Sequence, residues 1–227
     1  RVNAGFNNPN WTINNQENKN SVERFLTNIQ FDLNITDWLN IISRTGIDYY
    51  QSRTVQYYKP GTVGSTFGQG YFTDGITNNR VFNTDIIARS NFEIGDDINL
   101  SVTLGANLND RKYLRLGGDI RDFILPIDLQ DFSNAQPENT NVDDFDRQMR
   151  TAATYFSGNI GLFDMLFLNS NVRVESSSTI GPNAESVFVY PSVDLAWQFS
   201  KLDLFVGSPI LTFGKLRLAY GEVGVEP

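Results

Sequence analysis

The sequence predicts an all-β fold, an antiparallel transmembrane β-barrel segment, on three observations. Apolar and polar residues alternate with period two in segment after segment, the alternating segments are long, and the connections between them alternate between short and long. Alternation puts successive side chains on opposite sides of a strand, so one side is apolar and the other wet.

The first alternating segment is 24–35, with Phe25, Thr27, Ile29, Phe31, Leu33 and Ile35 on one side and Leu26, Asn28, Gln30, Asp32 and Asn34 on the other. A weaker pattern follows at 39–51. Segment 82–94 places Phe82, Thr84, Ile86, Ala88, Ser90, Phe92 and Ile94 opposite Asn83, Asp85, Arg89, Asn91 and Glu93, with Ile87 as the one break. Segment 98–109 alternates without a break: Ile98, Leu100, Val102, Leu104, Ala106 and Leu108 against Asn99, Ser101, Thr103, Gly105, Asn107 and Asn109. Weaker patterns at 150–162, 166–176 and 216–220 flank a strong one at 189–199, where Val189, Val193, Leu195 and Trp197 oppose Tyr190, Ser192 and Asp194. The count is about eight strands.

A soluble sandwich also alternates, so length and connections carry the distinction. Soluble strands run about 5–6 residues and tilted membrane strands about 9–11, and these segments reach the longer figure. The connections at 36–38, 95–97 and 163–165 are short, whereas 52–79, 111–148 and 177–185 are longer; 200–210 is extended where the rhythm calls for a short turn. Short turns on the periplasmic side and longer loops outside are the habit of outer-membrane barrels. Trp38, Trp197 and Phe199 then belong to the girdle at the short-turn end, and Tyr49, Tyr50, Tyr57, Tyr58 and Tyr71 lie at or above the other girdle. Eight strands can close a small barrel, but the long loops and the abrupt start at Arg1-Val2-Asn3 suit a piece of a larger one. An open sheet would leave unpaired edges in lipid, so the remaining strands are expected elsewhere in the parent polypeptide.

Composition narrows the function. No stretch approaches the roughly 18 apolar residues of a spanning helix, and no signal-peptide pattern is present. A net charge of −8 without a basic stripe argues against nucleic acid. The absence of Cys and His removes disulfides, thiolate nucleophiles, Cys/His zinc sites and Ser-His-Asp triads. Paired carboxylates remain, but none of the 26 Asp and Glu residues sits in a distinctive motif, so no enzyme and no cofactor are expected.

Five strings in order resemble the SusC/RagA-like family of TonB-dependent outer-membrane transporters of Bacteroidota-type bacteria. They are Asn8-Pro9-Asn10-Trp11 with Arg24-Phe25; Asp37-Trp38-Leu39 leading to Arg44-Thr45-Gly46-Ile47-Asp48-Tyr49-Tyr50; Leu166-Phe167-Leu168-Asn169 with Val172-Arg173 and Ser176-Ser177-Ser178-Thr179; Tyr190-Pro191-Ser192-Val193 through Leu195-Ala196-Trp197 to Phe199-Ser200; and Phe213-Gly214-Lys215-Leu216-Arg217 with Ala219-Tyr220-Gly221 and Val223-Gly224. The resemblance implies a barrel of about 22 strands around an N-terminal plug, energy from a TonB complex, a SusD-like surface lipoprotein as lid, and glycan or peptide cargo. The chain then contributes residues 1–227 as one run of barrel wall in the lipid bilayer, without plug-like or TonB-box-like segments. It departs from the family at 161–165, where an aromatic, Lys-containing turn is common.

Candidate cargo-binding residues are Trp11, Arg44, Asp48, Tyr50 and Tyr71. Arg44 and Asp48 share the inward side of one strand and suit either cargo or plug contact; the plainer reading is a polar ladder wetting the lumen. Trp11 and the tyrosines offer flat faces to sugar rings, or serve as girdle anchors. Asn139, Asn141, Asp143, Asp144 and Asp146 bring oxygens together in what reads as a long outer loop, a weak calcium candidate at Asp143, Asp144 and Asp146. The loop lacks the central Gly and closing Glu of a calcium loop, so a solvated acidic loop is the expectation. Gly61, Gly64, Gly68 and Gly70 lack the Lys-Ser/Thr of a phosphate loop and read as a surface loop. Two other functions remain open: a passive structural or adhesive barrel, and a soluble β-rich glycan-binding module.

Overall fold

The computed structural model describes residues 5–63, 68–180, 187–205 and 210–224. Gly64 and parts of the 177–185 and 200–210 connections lie outside the described residues. Eight strands form one antiparallel sheet in chain order: β1 (Gln16–Thr36), β2 (Leu39–Tyr58), β3 (Tyr71–Ile94), β4 (Ile98–Arg121), β5 (Thr140–Leu162), β6 (Leu166–Ser177), β7 (Phe188–Trp197) and β8 (Leu216–Gly221). A short helix that the alternation did not reveal, α1 (Pro9–Asn15), precedes them. Asn8 caps it by accepting from the Asn10 amide at 2.9 Å, and Pro9 stands in the first turn, where its missing N–H costs nothing.

The chain forms two compact units. The first comprises Arg1–Leu26, Ile47–Val81 and Arg111–Gln148; the second comprises Thr27–Gly46, Phe82–Asp110 and Met149–Pro227.

In the second unit the usual relation between polarity and burial is reversed on one side of the sheet. Phe31 and Leu33 on β1, Ile86 and Ile94 on β3, Leu104 and Leu108 on β4, and Val189 and Val193 on β7 are all exposed. Ile98, Leu100 and Val102 are half-buried on that side, and Ile87, the break in the alternation, is buried on the other. Register keeps the two sides apart. Phe156, Val172 and Pro191 lie abreast on the apolar side, as do Thr154, Val174 and Val189. Tyr155, Arg173 and Tyr190 form the next row on the polar side. Directly opposed residues share a side in an antiparallel pair, so a one-residue slip would turn every one of these rows over.

The turns at 37–38, 95–97 and 163–165 are as tight as the sequence predicts. Gly95 takes a left-handed φ of 64°, and Phe163 and Asp164 adopt φ of 53° and 51°, uncommon for residues with a Cβ. The Phe163 amide donates to the Asp97 carbonyl at 2.7 Å, tying two neighbouring turns together. Aromatic rings collect at this end: Trp38 stacks on Phe92 at 5.4 Å and Trp197 meets Phe199 edge-on at 5.9 Å.

The first unit corrects the expected loops. Most of 52–79 and 111–148 is strand, and the actual connections are 59–70 and 122–139. Asp143, Asp144 and Asp146 therefore belong to β5 and not to a loop. The signal was weak because charged residues interrupt both sides here, and cross-strand ion pairs stand where unbroken apolar rows would otherwise mark a strand. Lys112 pairs with Asp146 (3.1 Å), Arg115 with Asp143 (2.9 Å) and Arg53 with Asp74 (2.6 Å).

The unit has a small core of its own, Tyr57, Phe72, Ile120, Phe123 and Ala135. Tyr57 is thus a core residue and not a girdle anchor, with Phe123 stacked on it at 5.9 Å. The 122–139 connection is held by Asn134, which is fully buried. Its Oδ1 accepts from the Leu125 amide (2.9 Å), its Nδ2 donates to the Leu125 carbonyl (3.2 Å) and its own carbonyl accepts from the Ile124 amide (2.9 Å). Outside it, Asp128 accepts from the Tyr57 hydroxyl (2.8 Å) and from Lys59 (3.2 Å).

A Cβ at Gly105 would lie 2.0–2.4 Å from the Tyr155 ring, so Gly105→Ala should destabilise by about 1–3 kcal/mol in urea titrations. Adding Tyr155→Ala should recover most of that loss, as a steric clash requires. The Tyr57 hydrogen bond, with Lys59 beside it, holds the Asp128 carboxyl below the usual carboxylate range. A carboxyl depressed in the folded state stabilises above its unfolded pKa, about 3.9, and loses that contribution as pH falls through and below it. The protection factors of the Ile124 and Leu125 amides, taken relative to intrinsic exchange at each pH, should therefore fall below about pH 4, and Asp128→Asn should flatten that acid dependence.

Candidate functional site

The polar side of the second unit centres on Asp85, whose side chain is only 8% exposed. The carboxylate accepts from Arg44 (Nη2 at 3.0 Å and Nε at 3.3 Å), from Asn107 Nδ2 at 2.8 Å and from Asn83 Nδ2 at 3.3 Å. Asn107 and Asn109 each also donate to Asn83 Oδ1 at 3.1 Å. Alternation explains the assembly: Arg44 on β2, Asn83 and Asp85 on β3, and Asn107 and Asn109 on β4 are all polar-side positions, brought abreast by pairing. A carboxylate so shielded needs both a cation and amide donors, and here it has them.

The row continues across β6 and β7. Asn169 donates to Asp194 at 2.7 Å, Asn171 to Ser192 at 3.3 Å, and Arg173 pairs with Glu175. Tyr155 lies over Gly105 and fills the space that any other residue there would occupy. Among the described residues no buried side-chain nitrogen or oxygen lacks a partner. The result is a pre-satisfied surface of amides, carboxylates and guanidinium groups that exchanges hydrogen bonds with water or with a polar solute at little cost.

In the first unit, Asp48 receives a two-pronged contact from Arg24 (Nη2 to Oδ2 at 2.7 Å, Nε to Oδ1 at 3.0 Å). Arg44 and Asp48, read from the sequence as sharing one side of a strand, are each engaged by a neighbouring strand. Tyr50 is half-buried on the Asp48 side of β2. Tyr71, the first residue of β3, packs against Tyr58 with ring centres 5.8 Å apart. Trp11 projects from α1, donates from Nε1 to Thr62 at 3.3 Å and covers Gly61. Asp143 and Asp146 point to opposite sides of β5, each toward its own cation, and Asp144 is exposed. No group of three potential metal ligands occurs among the described residues. A polar cleft of about 420 Å³ between the helix end and the 122–139 connection is lined by Asn14, Asn15, Glu17, Tyr57, Asp128 and Gln130.

The sequence reading missed Asp85, Asn83 and Asn107 as site residues. They were visible as polar-side members of their strands, but Arg44 and Asp85 are 41 positions apart, and only the register makes them partners. Removing the cation should show this dependence. Arg44→Gln leaves a shielded carboxylate short of its strongest donor and should cost about 1–3 kcal/mol. Asp85→Asn in the same chain should restore most of it, read as the coupling energy of a double-mutant cycle.

No family model and no curated protein matches this sequence. Solved structures do match the fold. The chain is similar to a chain of the RagAB peptide transporter, with a TM-score of 0.81, 16% identity and coverage of 91% of this chain and 23% of that one. The RagAB peptide importer in its closed-closed state gives a TM-score of 0.77 at 15% identity, again over 91% of this chain and 23% of the other. The siderophore receptor PiuA from Acinetobacter baumannii gives 0.50 at 14% identity, over 81% of this chain and 32% of that one. The chain therefore spans about a quarter of the RagAB chain it matches.

Proposed function

We propose that this chain is a run of wall strands from a SusC/RagA-like, TonB-dependent importer in the outer membrane of a Bacteroidota-type bacterium. One observation carries the reading: a side of large exposed apolar residues backs a polar side whose buried groups, among the described residues, are all hydrogen-bonded, in a fold shared with RagAB. On β1, β3, β4, β5, β6 and β7 the apolar-side runs are 25–35, 82–94, 98–108, 152–162, 166–174 and 189–197. Each is about 9–13 residues long, the length a tilted strand needs to cross hydrocarbon. Beyond them the same side becomes charged, at Asp110 and Lys112 on β4 and at Arg150 on β5. A soluble sandwich would cover such a surface with a second sheet.

In this reading the remaining strands and a plug belong to the rest of the parent polypeptide, and a TonB complex drives uptake. A SusD-like lipoprotein closes the outer side. The cargo is an oligosaccharide or a peptide; the RagAB likeness favours peptides, since the name of that transporter specifies them. The Asp85 row wets the lumen. Of the candidate residues, Arg44 and Asp48 act mainly through their ion pairs, whereas Tyr50, Tyr71 and Trp11 supply ring faces for cargo.

The test is a pair of substitutions in the full parent chain, refolded into lipid vesicles. Leu104→Arg should cost about 2–4 kcal/mol at mid-membrane, and the adjacent Thr103→Arg on the polar side should cost much less. Equal costs, or a parent chain that stays folded and monodisperse in buffer without detergent, would overturn the membrane reading. Uptake itself is tested by growth on peptide or oligosaccharide as sole nutrient after deletion of the parent gene, with unchanged growth on both overturning it.

A further inference from the structure

On the apolar side of the second unit, β3 to β6 carry two grooves that follow one another along the strands. The first, about 450 Å³, is lined by Ile86, Ala88, Leu104, Phe156, Val172 and Val174. The second, about 500 Å³, starts from Phe82, Leu108 and Ala152, apolar-side positions further along three of the same strands. It ends among polar groups, Asp110, Arg150, Ser176 and Ser178. The small side chains of Ala88 and Ala152, set among larger neighbours, make the hollow.

We propose that this groove seats a phosphate-bearing lipid of the outer leaflet, with one acyl chain along Val172, Val174 and Ala88 and its phosphate on Arg150. The inference rests on the membrane reading above. Length supports it. Val172 to Ser176 spans four residues, about 13 Å at some 3.3 Å each, against roughly 15 Å for half of a 30 Å hydrocarbon core. Position supports it, because the polar end adjoins the longer 178–187 connection and not the tight turns.

Charge decides the headgroup. Arg150 donates from Nε to Asp110 at 3.1 Å, and its backbone amide donates to Ser178 Oγ at 2.8 Å. The guanidinium side chain is 66% exposed and the Asp110 side chain 24%, so the pair shows its cation outward and keeps its carboxylate behind. Asp110 orients the guanidinium, and the hydroxyls of Ser176 and Ser178 stand beside it as further donors. A planar fork next to hydroxyls suits a phosphate monoester better than a zwitterionic headgroup.

The test uses the full parent chain in detergent and native mass spectrometry. The probes are a monophosphorylated acyl-glucosamine disaccharide lipid and its dephosphorylated counterpart. The wild-type chain should retain the phosphorylated lipid at least about five-fold better. Arg150→Gln should abolish that preference and Arg150→Lys keep part of it, while Ala88→Trp, which fills the acyl groove, should weaken retention of both lipids. Equal retention of the two lipids by the wild-type chain, or an undiminished preference in Arg150→Gln, overturns the proposal. Leu33→Trp, on exposed apolar β1 away from the groove, separates this from failure of the membrane reading. Quenching of the added tryptophan by brominated acyl chains keeps the membrane reading whatever the groove holds; absence of quenching overturns both.

Discussion

A ladder of inter-strand backbone hydrogen bonds running in order from β1 to β8 sets which side every residue faces. In hydrocarbon no water is present to accept a stray N–H or donate to a stray C=O, so a chain crossing it must pair its backbone internally. In the proposed membrane reading that requirement accounts for the long strands, the two- and three-residue turns at one end and the absence of helix from the second unit beyond one short 3-10 turn among its described residues. With the ladder in place, side-chain chemistry reduces to two lists, one for each side of the sheet.

The two sides solve opposite problems. Leu33, Ile86, Leu104 and Val193 are exposed without cost only if their surroundings are apolar. Asp85, by contrast, is shielded, and its charge is tolerated because Arg44, Asn83 and Asn107 converge on it from three strands. The polar side is thus held by specific pairs, while the apolar side needs only the right character at each position. Substitutions should be permissive on one side and partner-dependent on the other.

The first unit follows a third pattern. Its strands continue with charged residues on both sides, paired across neighbours, and its stability is concentrated in the Tyr57–Phe72–Ile120–Phe123 core and in Asn134. Asn134 completes with its side chain and its backbone the hydrogen bonds that a regular strand partner would supply. The 122–139 connection is therefore a packed element and not a free loop, which matters for a wall whose connections face incoming cargo in the proposed reading.

Strand number, the tight turns and the side taken by Leu104 or Asn107 were legible in the sequence, because period two is imposed locally by the pleat and one apolar environment selects one side. The five strings that resemble the SusC/RagA-like family pointed to the fold that this chain shares with the RagAB transporter. Strand ends in the first unit were not legible: Lys112–Asp146 and Arg115–Asp143 put charges on both sides, so the hydropathy period is interrupted there. Nor were the partners. That Arg44 and Asp48 share one side of a strand was legible, but not that Arg44 reaches Asp85 and Asp48 reaches Arg24. By itself the sequence determined which residues of each alternating strand share a side, since the pleat fixes that locally. Which charges meet, which tyrosine is buried and where the apolar side opens into a groove were decided by register and by the fold of the 122–139 connection, because those bring together residues that no local pattern relates.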